Sequence, residues 1–223
     1  MQNLKAKIII LVGPPGSGKG TQAELLTQRL NLRIIHLSQL IREKFKKEPD
    51  NPDVIESKKA YEEGRLTNGK IVAKWVAEKI NRLGEKEVEK GLVLDGAART
   101  IEETTKTIEL LDEIVGKENI KVFFIKISPE ETIKRNTKRV ICQKCLKPID
   151  PKLIGKIEKC PYCGGRLGKR EMDQKNIIEN RLRVYREKTL PSLQYIKEQK
   201  MLIEVDGEQP IEKVYQDILK HLI

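Results

Sequence analysis

Short apolar runs recur along the chain at Ile8–Val12, Arg33–Leu37, Leu92–Leu94, Ile120–Ile127 and Met201–Val205, and apolar residues between them fall at helical spacing. An unbroken run such as Ile8–Val12 suits a strand covered on both faces, the habit of parallel sheets. Ala23, Leu26 and Leu30 share one helix face, as do Ile101, Thr105, Ile108, Leu111 and Val115. Ser128-Pro129-Glu130-Glu131 reads as a capping box with proline at the first helical position, and predicts a helix reaching about Ile141. A last helix follows Pro210, with Ile211, Val214, Tyr215, Ile218 and Leu222 closing the fold. Strands alternating with helices predict an α/β fold.

Two stretches break this alternation. Ser38 to Lys70 is polar and contains Pro49-Asp50-Asn51-Pro52, and Asn136 to Glu171 holds all four cysteines. Both read as insertions into one domain, a better prior for 223 residues than two independent domains. There is no internal repeat, low-complexity tract or Gly/Ser linker.

Directly behind the first apolar run stands Gly13-Pro14-Pro15-Gly16-Ser17-Gly18-Lys19-Gly20-Thr21. Glycines at 13, 16, 18 and 20 let the backbone aim successive N–H groups inward, while the following helix presents its positive end to the same anion. Lys19 adds a mobile charge and Thr21 a hydroxyl suited to phosphate or magnesium, so a nucleoside triphosphate is the implied ligand. Gly20 separates the lysine from the hydroxyl residue, which makes this a Gly-Lys-Gly-Thr variant of the general loop.

Lysine and arginine outnumber acidic residues 44 to 33, and the net charge of +11 calls for an anionic partner. Phosphorylated small molecules meet that need as well as nucleic acid does. Only 4% of residues are aromatic, and no stretch interleaves them with basic residues as single-strand stacking surfaces do. Lys5 and Lys7 precede an apolar stretch too short for a secretory signal, and no segment approaches the ~20 apolar residues needed to span a bilayer. The expectation is a cytoplasmic monomer that binds neither membrane nor nucleic acid.

Cys142-Gln-Lys-Cys145 and Cys160-Pro-Tyr-Cys163 form two C-x-x-C pairs separated by fourteen residues, the spacing of a closed four-thiolate zinc site. The competing reading is a pair of disulfides, which a reducing compartment disfavours.

Taken together, the loop variant, Asp95-Gly96-x-x-Arg99-Thr100 and the arginine spacing resemble the adenylate kinases and their nucleoside monophosphate kinase relatives, over about Lys7 to Leu222. The resemblance implies a P-loop kinase fold: a five-stranded parallel sheet flanked by helices, with a core of 1–37, 71–135 and 172–223, a monophosphate-binding insertion at 38–70 and a zinc-binding lid at 136–171. It implies that ATP sits on Gly16, Ser17, Gly18, Lys19, Gly20 and Thr21, with Arg135, Arg139 and Gln209. It places the acceptor monophosphate on Ser38, Arg42, Arg65, Leu66, Thr67, Gly96, Arg99 and Glu103, with Arg170 and Arg181 closing over the transferring group. Lys19, Arg99, Arg135, Arg170 and Arg181 would be catalytic. Asp95 and Asp173 would hold Mg2+ through water, and Cys142, Cys145, Cys160 and Cys163 structural Zn2+.

Departures cluster on the acceptor-base side. The family's Thr-Gly-Asp is replaced by Leu37-Ser38-Gln39, its Phe-Pro by Ala97-Ala98, and its adenine-reading glutamine by Glu103, while Met172 stands where an aspartate is common. A carboxylate accepts only, so it faces adenine N1 unfavourably. Either Glu103 takes the N6 amine and AMP is used, or CMP, UMP or GMP is preferred; the resemblance favours AMP, and so implies reversible phosphoryl transfer from ATP to AMP giving two ADP. Beyond these stand a zinc-ribbon nucleic-acid-binding protein and a non-catalytic nucleotide sensor.

Overall fold

β1 (Ile8–Val12) is buried along its whole length, and the alternation of its side chains explains why each position is apolar. Ile8, Ile10 and Val12 enter one hydrophobic cluster, whereas Ile9 and Leu11 enter the other. The computed structural model describes residues 6–223, so Lys5 and the start of the expected 1–37 core stretch lie outside the described residues.

After β1 come α1 (Lys19–Leu30), β2 (Arg33–His36), α2 (Leu37–Lys47), α3 (Pro52–Glu62), α4 (Gly69–Leu83), α5 (Glu85–Glu89) and β3 (Leu92–Asp95). The chain continues through α6 (Ile101–Val115), β4 (Ile120–Lys126), α7 (Pro129–Lys138), the short strands β5 (Ile141–Cys142) and β6 (Leu167–Gly168), α8 (Lys175–Val184), α9 (Leu190–Glu198), β7 (Leu202–Asp206) and α10 (Ile211–Leu219). The five longer strands form one parallel sheet in the order β2-β3-β1-β4-β7, and β5 pairs antiparallel with β6.

One face of the sheet is covered by α4, α6 and α9 through Val76, Ile80, Leu111 and Ile196; the other by α1 and α10 through Leu26 and Ile218. Each of these fully buried aliphatic side chains contributes about 1.5–3 kcal/mol. All five strands point the same way, so their carboxyl ends line one edge. The strand order switches sides at β1, and open α/β sheets receive ligands at such a point. Among the described residues no helix is long and apolar enough to cross a membrane.

Several element limits differ from the expected ones. Leu37 opens α2 instead of ending β2, because its buried side chain joins the core as part of an amphipathic helix. α7 stops at Lys138, well before Ile141, since Arg139 turns to an extended conformation and Ile141 pairs in β5. Only half of the capping box forms: Ser128 accepts from Glu131 N–H, but Ser128 N–H donates to Glu208, leaving the Glu131 carboxylate for Lys134 and Arg135. On α6 the inward face carries Thr104 and Thr107 with Ile108, Leu111 and Val115, while Ile101 is 48% exposed. Thr104 tolerates burial because its hydroxyl donates to the Thr100 carbonyl at 2.6 Å.

Candidate active site

The glycine-rich loop joins β1 to α1 at the switch point of the sheet. Gly18 caps α1 at φ 94°, a left-handed conformation that favours glycine. Gly16 is excluded from change by space as well as by φ: a Cβ there would stand 2.5 Å from Asn136 Nδ2. Lys19 curls back over the loop, donating to the carbonyls of Gly13 and Pro14 at 2.8 Å each and to Ser17 Oγ at 3.1 Å. Burial lowers its pKa to about 7; Asp95 opposes this, while Arg99, Arg181 and Arg139 add to it. An anion entering the loop reverses that balance.

Asp95 ends β3 beside the loop, with its Oδ2 3.4 Å from where a Cβ on Gly20 would lie. The parallel register sets His36 opposite Asp95, and His36 Nδ1 meets Asp95 Oδ2 at 2.8 Å. Hydrogen bonding to Asp95 raises the imidazole pKa against the opposing effect of burial. Glu24 of α1 lies 3.4 Å from the other ring nitrogen and pairs with Lys147 of the cysteine-bearing stretch at 3.2 Å.

Beyond Asp95, the turn into α6 holds Arg99. Its Nε donates to the Gly96 carbonyl at 2.5 Å. The turn is secured from several directions. Ala98, in a left-handed conformation at φ 61°, donates its N–H to Glu103 Oε1 at 2.8 Å, and Arg99 N–H lies 3.4 Å from Oε2. Ser192 and Thr189 donate to the carbonyls of Ala98 and Arg99 at 2.7 and 3.1 Å. Thr189 closes a π-helical turn, Tyr185–Thr189, that joins α8 to α9; such turns often mark functional sites.

Arginines from distant segments converge on this region. Arg139 grips Asp173 through Nε, at 2.7 Å to Oδ2, and through Nη2 to Oδ1, and also donates to Asn136. Arg181 donates to the Met172 carbonyl at 3.3 Å and lies 3.8 Å from Asp173 Oδ1. Burial first, and then Arg170, Arg139 and Arg99, lower the Arg181 pKa to about 9. One buried carboxylate, Asp173, therefore faces two guanidiniums, those of Arg139 and Arg181. Arg135 donates to Glu131 and its Cβ packs 3.5 Å from the Cβ position of Gly16.

A small cleft opens beside Arg99 and is lined by Leu37, Ile41, Tyr61, Arg65, Leu66, Thr67, Val72 and Glu103. Arg42 reaches toward it from α2 and lies 3.4 Å from the Tyr61 hydroxyl. Ser38 does not line this cleft, and Arg65 is engaged with Glu63 at 2.6 Å. Gln209 is likewise engaged, donating to the Asp206 carbonyl and to Asp217.

Glu103 is buried, 2% exposed, and desolvation pushes its pKa up to about 7, with Arg99 opposing. The folded value stands above the ordinary 4.5. The stability it contributes is therefore complete below that pH and is lost as pH rises through about 7. Glu103→Gln keeps the oxygen that accepts from Ala98, and is expected to raise stability at pH 8 by about 1–3 kcal/mol while changing nothing near pH 4. Denaturant midpoints across pH check this; equal midpoints at pH 8 contradict it.

The four cysteine sulfurs lie within 4.8 Å of one another. Cys142 and Cys163 are 3.5 Å apart, and Cys145 and Cys160 3.7 Å. A disulfide needs about 2.05 Å, whereas the edge of a tetrahedron with metal–sulfur distances of about 2.3 Å is near 3.8 Å. Backbone N–H groups of Cys145 and Lys144 point at Cys142 Sγ and bring that thiol down to about 6. A Cβ on Gly165 would intrude to 2.8 Å from the same sulfur. The donor set and the space suit a thiophilic metal.

The adenylate kinase family model matches residues 11–201. An adenylate kinase of Methanocella arvoryzae is 35% identical over 214 residues, covering 94% of this chain and 95% of the relative. Those of Acholeplasma laidlawii and Clostridium tetani are 35% and 33% identical, with at least 94% of this chain and 95% of either relative aligned. The chain belongs to the adenylate kinase family. Like other adenylate kinases, it is a nucleoside monophosphate kinase with a five-stranded parallel sheet.

Of the residues expected at the site, the structure gathers Lys19, Asp95, Arg99, Arg139, Arg170, Asp173 and Arg181 around one region, with Arg42 and Glu103 at the adjoining cleft. Ser38, Arg65 and Gln209 stand apart or are occupied by neighbours. Sequence reasoning assigned His36 no role and passed over Tyr61, Thr189 and Ser192. For His36 a signal existed, since it ends the strand paired in register with Asp95. The others act through contacts remote in sequence.

Proposed function

We propose that this adenylate kinase transfers a phosphoryl group reversibly from ATP to AMP, forming two ADP. The observation that carries the reading is the convergence of Arg99, Arg139, Arg170 and Arg181 with Lys19 around a loop built for phosphates, where burial and then the neighbouring guanidiniums lower the pKa values of Lys19 and Arg181. Phosphoryl transfer needs little covalent help. Aligning donor and acceptor and neutralising the equatorial oxygens supplies the rate, so no general base is required. Planar guanidiniums do this bidentately.

In this reading the loop at 16–21 holds the ATP phosphates, with Arg135 and Arg139 above them and the backbone near Gln209 beside the base. Arg42 and Arg99 take the acceptor phosphate, and Arg170 and Arg181 close over the group in flight. Asp95 and Asp173 would hold the magnesium that comes with ATP through water, where it would supply charge neutralisation at phosphate oxygens, and Asp173 would also align Arg139 and Arg181. The segments 38–70 and 136–171 act as acceptor insertion and lid, and zinc on the four cysteines makes the second rigid. Closing them excludes water, which would otherwise compete as acceptor. Cysteines that serve as metal ligands and not as disulfides suit a reducing, cytoplasmic setting, and the reading takes the chain to act as a monomer.

Glu103 favours a second reading, in which the acceptor is another monophosphate (CMP, UMP or GMP), because a carboxylate accepts only and matches the two adjacent donors of guanine or the amine of cytosine, with UMP the weakest of the three on this ground. The test is a steady-state assay of ADP formation from MgATP with AMP, CMP, UMP and GMP in turn. AMP is expected to be fastest. A lower rate with AMP than with another monophosphate transfers the assignment to that acceptor, and no product from any of them rejects the kinase reading in favour of a sensor.

A further inference from the structure

Tyr61 of α3 stands where arginines from two walls of the cleft meet. Its ring packs edge-on against Phe45 of α2, with centroids 5.7 Å apart and planes at 78°. Its hydroxyl oxygen lies 3.4 Å from Arg42 Nη1 and 3.3 Å from Arg170 Nη2. Among the described residues neither arginine forms an ion pair with a carboxylate. Two uncompensated guanidiniums thus share one neutral oxygen, an arrangement that an anion completes.

The hydrogen-bond inventory fixes the direction of these contacts. A guanidinium only donates, whereas a phenol has lone pairs to accept and one proton to give. Arg42 and Arg170 donate to the hydroxyl oxygen, so its rotatable proton stays free to be given to an acceptor in the cleft that Tyr61 lines. We propose that the Tyr61 hydroxyl is a direct ligand of the acceptor nucleotide's phosphate, donating its proton to a phosphate oxygen while Arg42 and Arg170 hold it in place. The proposal rests on the acceptor site assigned above. It adds to that site a residue for which no motif exists.

Burial alone would make the phenol less acidic, yet Arg170 and Arg42 together bring its pKa below the ordinary value. A more acidic O–H is a stronger donor to an anion. The position of Tyr61 gives the contact a second effect. It lies within the 38–70 stretch, whereas Arg170 lies at the end of the cysteine-bearing stretch, so a phosphate bound to all three ties the two moving walls together.

Tyr61→Phe retains the ring against Phe45 and removes only the hydroxyl. The expected result is a rise of about tenfold or more in KM for the acceptor, the scale of a lost hydrogen bond to a charged group, with KM for ATP within twofold and an unchanged Tm. The factor should be the same for AMP and CMP, because the phosphate is common to both. An unchanged acceptor KM overturns the proposal. So does a loss confined to one base, which would place the hydroxyl on the base, or a loss accompanied by a Tm drop of several degrees, which would make Tyr61 a structural spacer. If the wild type transfers to no monophosphate, the kinase reading fails separately. Calorimetric titration with AMP then decides, a tenfold weaker affinity in the variant supporting the phosphate contact and equal affinities rejecting it.

Discussion

Replacing Arg181 with methionine should lower kcat about a thousandfold and at the same time raise the Tm of the ligand-free protein. Both effects follow from one placement. Arg181 is drawn out of water beside Arg170, Arg139 and Arg99, and its pKa falls to about 9, so the empty protein holds this charge at a cost. Methionine fills similar volume without charge, and Asp173 keeps its two-point contact with Arg139. Relief of about 1 kcal/mol corresponds to roughly 2–4 °C in a chain of this size. In the reaction the balance is opposite, since negative charge gathers on the transferring oxygens where the guanidinium waits. Arginines in that position are worth about 10³–10⁵ in kcat. Steady-state kinetics and a thermal melt of the same preparation check both halves. A kcat within tenfold of wild type removes Arg181 from the transferring phosphate, and a lower Tm shows that its contact with Asp173 outweighs the like charges.

Much of this site was legible before any coordinates because its parts are local. The glycines of the loop and the lysine among them sit within nine residues, Gly13 to Thr21. β1 was equally plain, since a strand covered on both faces must be apolar at every position. What the sequence obscured is long-range. Nothing local distinguishes Ser192 from a surface serine, yet it donates to the Ala98 carbonyl across ninety-four residues. Tyr61 looks like a helix-packing aromatic until α2 and the segment at Arg170 come together around it. The α6 face differs for another reason: buried Thr104 satisfies its hydroxyl on the Thr100 carbonyl one turn back, so polarity misreports which side faces the core. The end of α7 was overrun because the residues at 139–141 continue an acceptable helical pattern, and only tertiary pairing with β6 and Asp173 draws them out.

Removing metal from the four-cysteine site is expected to unfold residues 136–171 while the parallel sheet stays intact. The apolar cluster of this stretch is small, centred on Ile149, Cys142 and Cys160, with Val140, Ile157 and Leu167 packed against it. Its regular pairing amounts to two residues in either strand of the β5–β6 hairpin. So small a unit does not offset its own conformational entropy, whereas four-thiolate zinc in finger peptides supplies an apparent ~10–16 kcal/mol. The sheet has two large clusters of its own and draws nothing from the metal. The chain carries reporters for both parts. Trp75, its one tryptophan, is 2% exposed in the core, and the four thiols belong entirely to the 136–171 stretch. After chelation the thiols should react rapidly at 25 °C while Trp75 emission remains native, and the melt should separate into an early and a late transition. Arg139 and Arg170 lie at the two ends of the stretch that loses order, so transfer activity should fall with the early transition and return when zinc is added back. Unreactive thiols and a single unchanged melt, in protein shown to be free of metal, would mean that packing alone holds these knuckles.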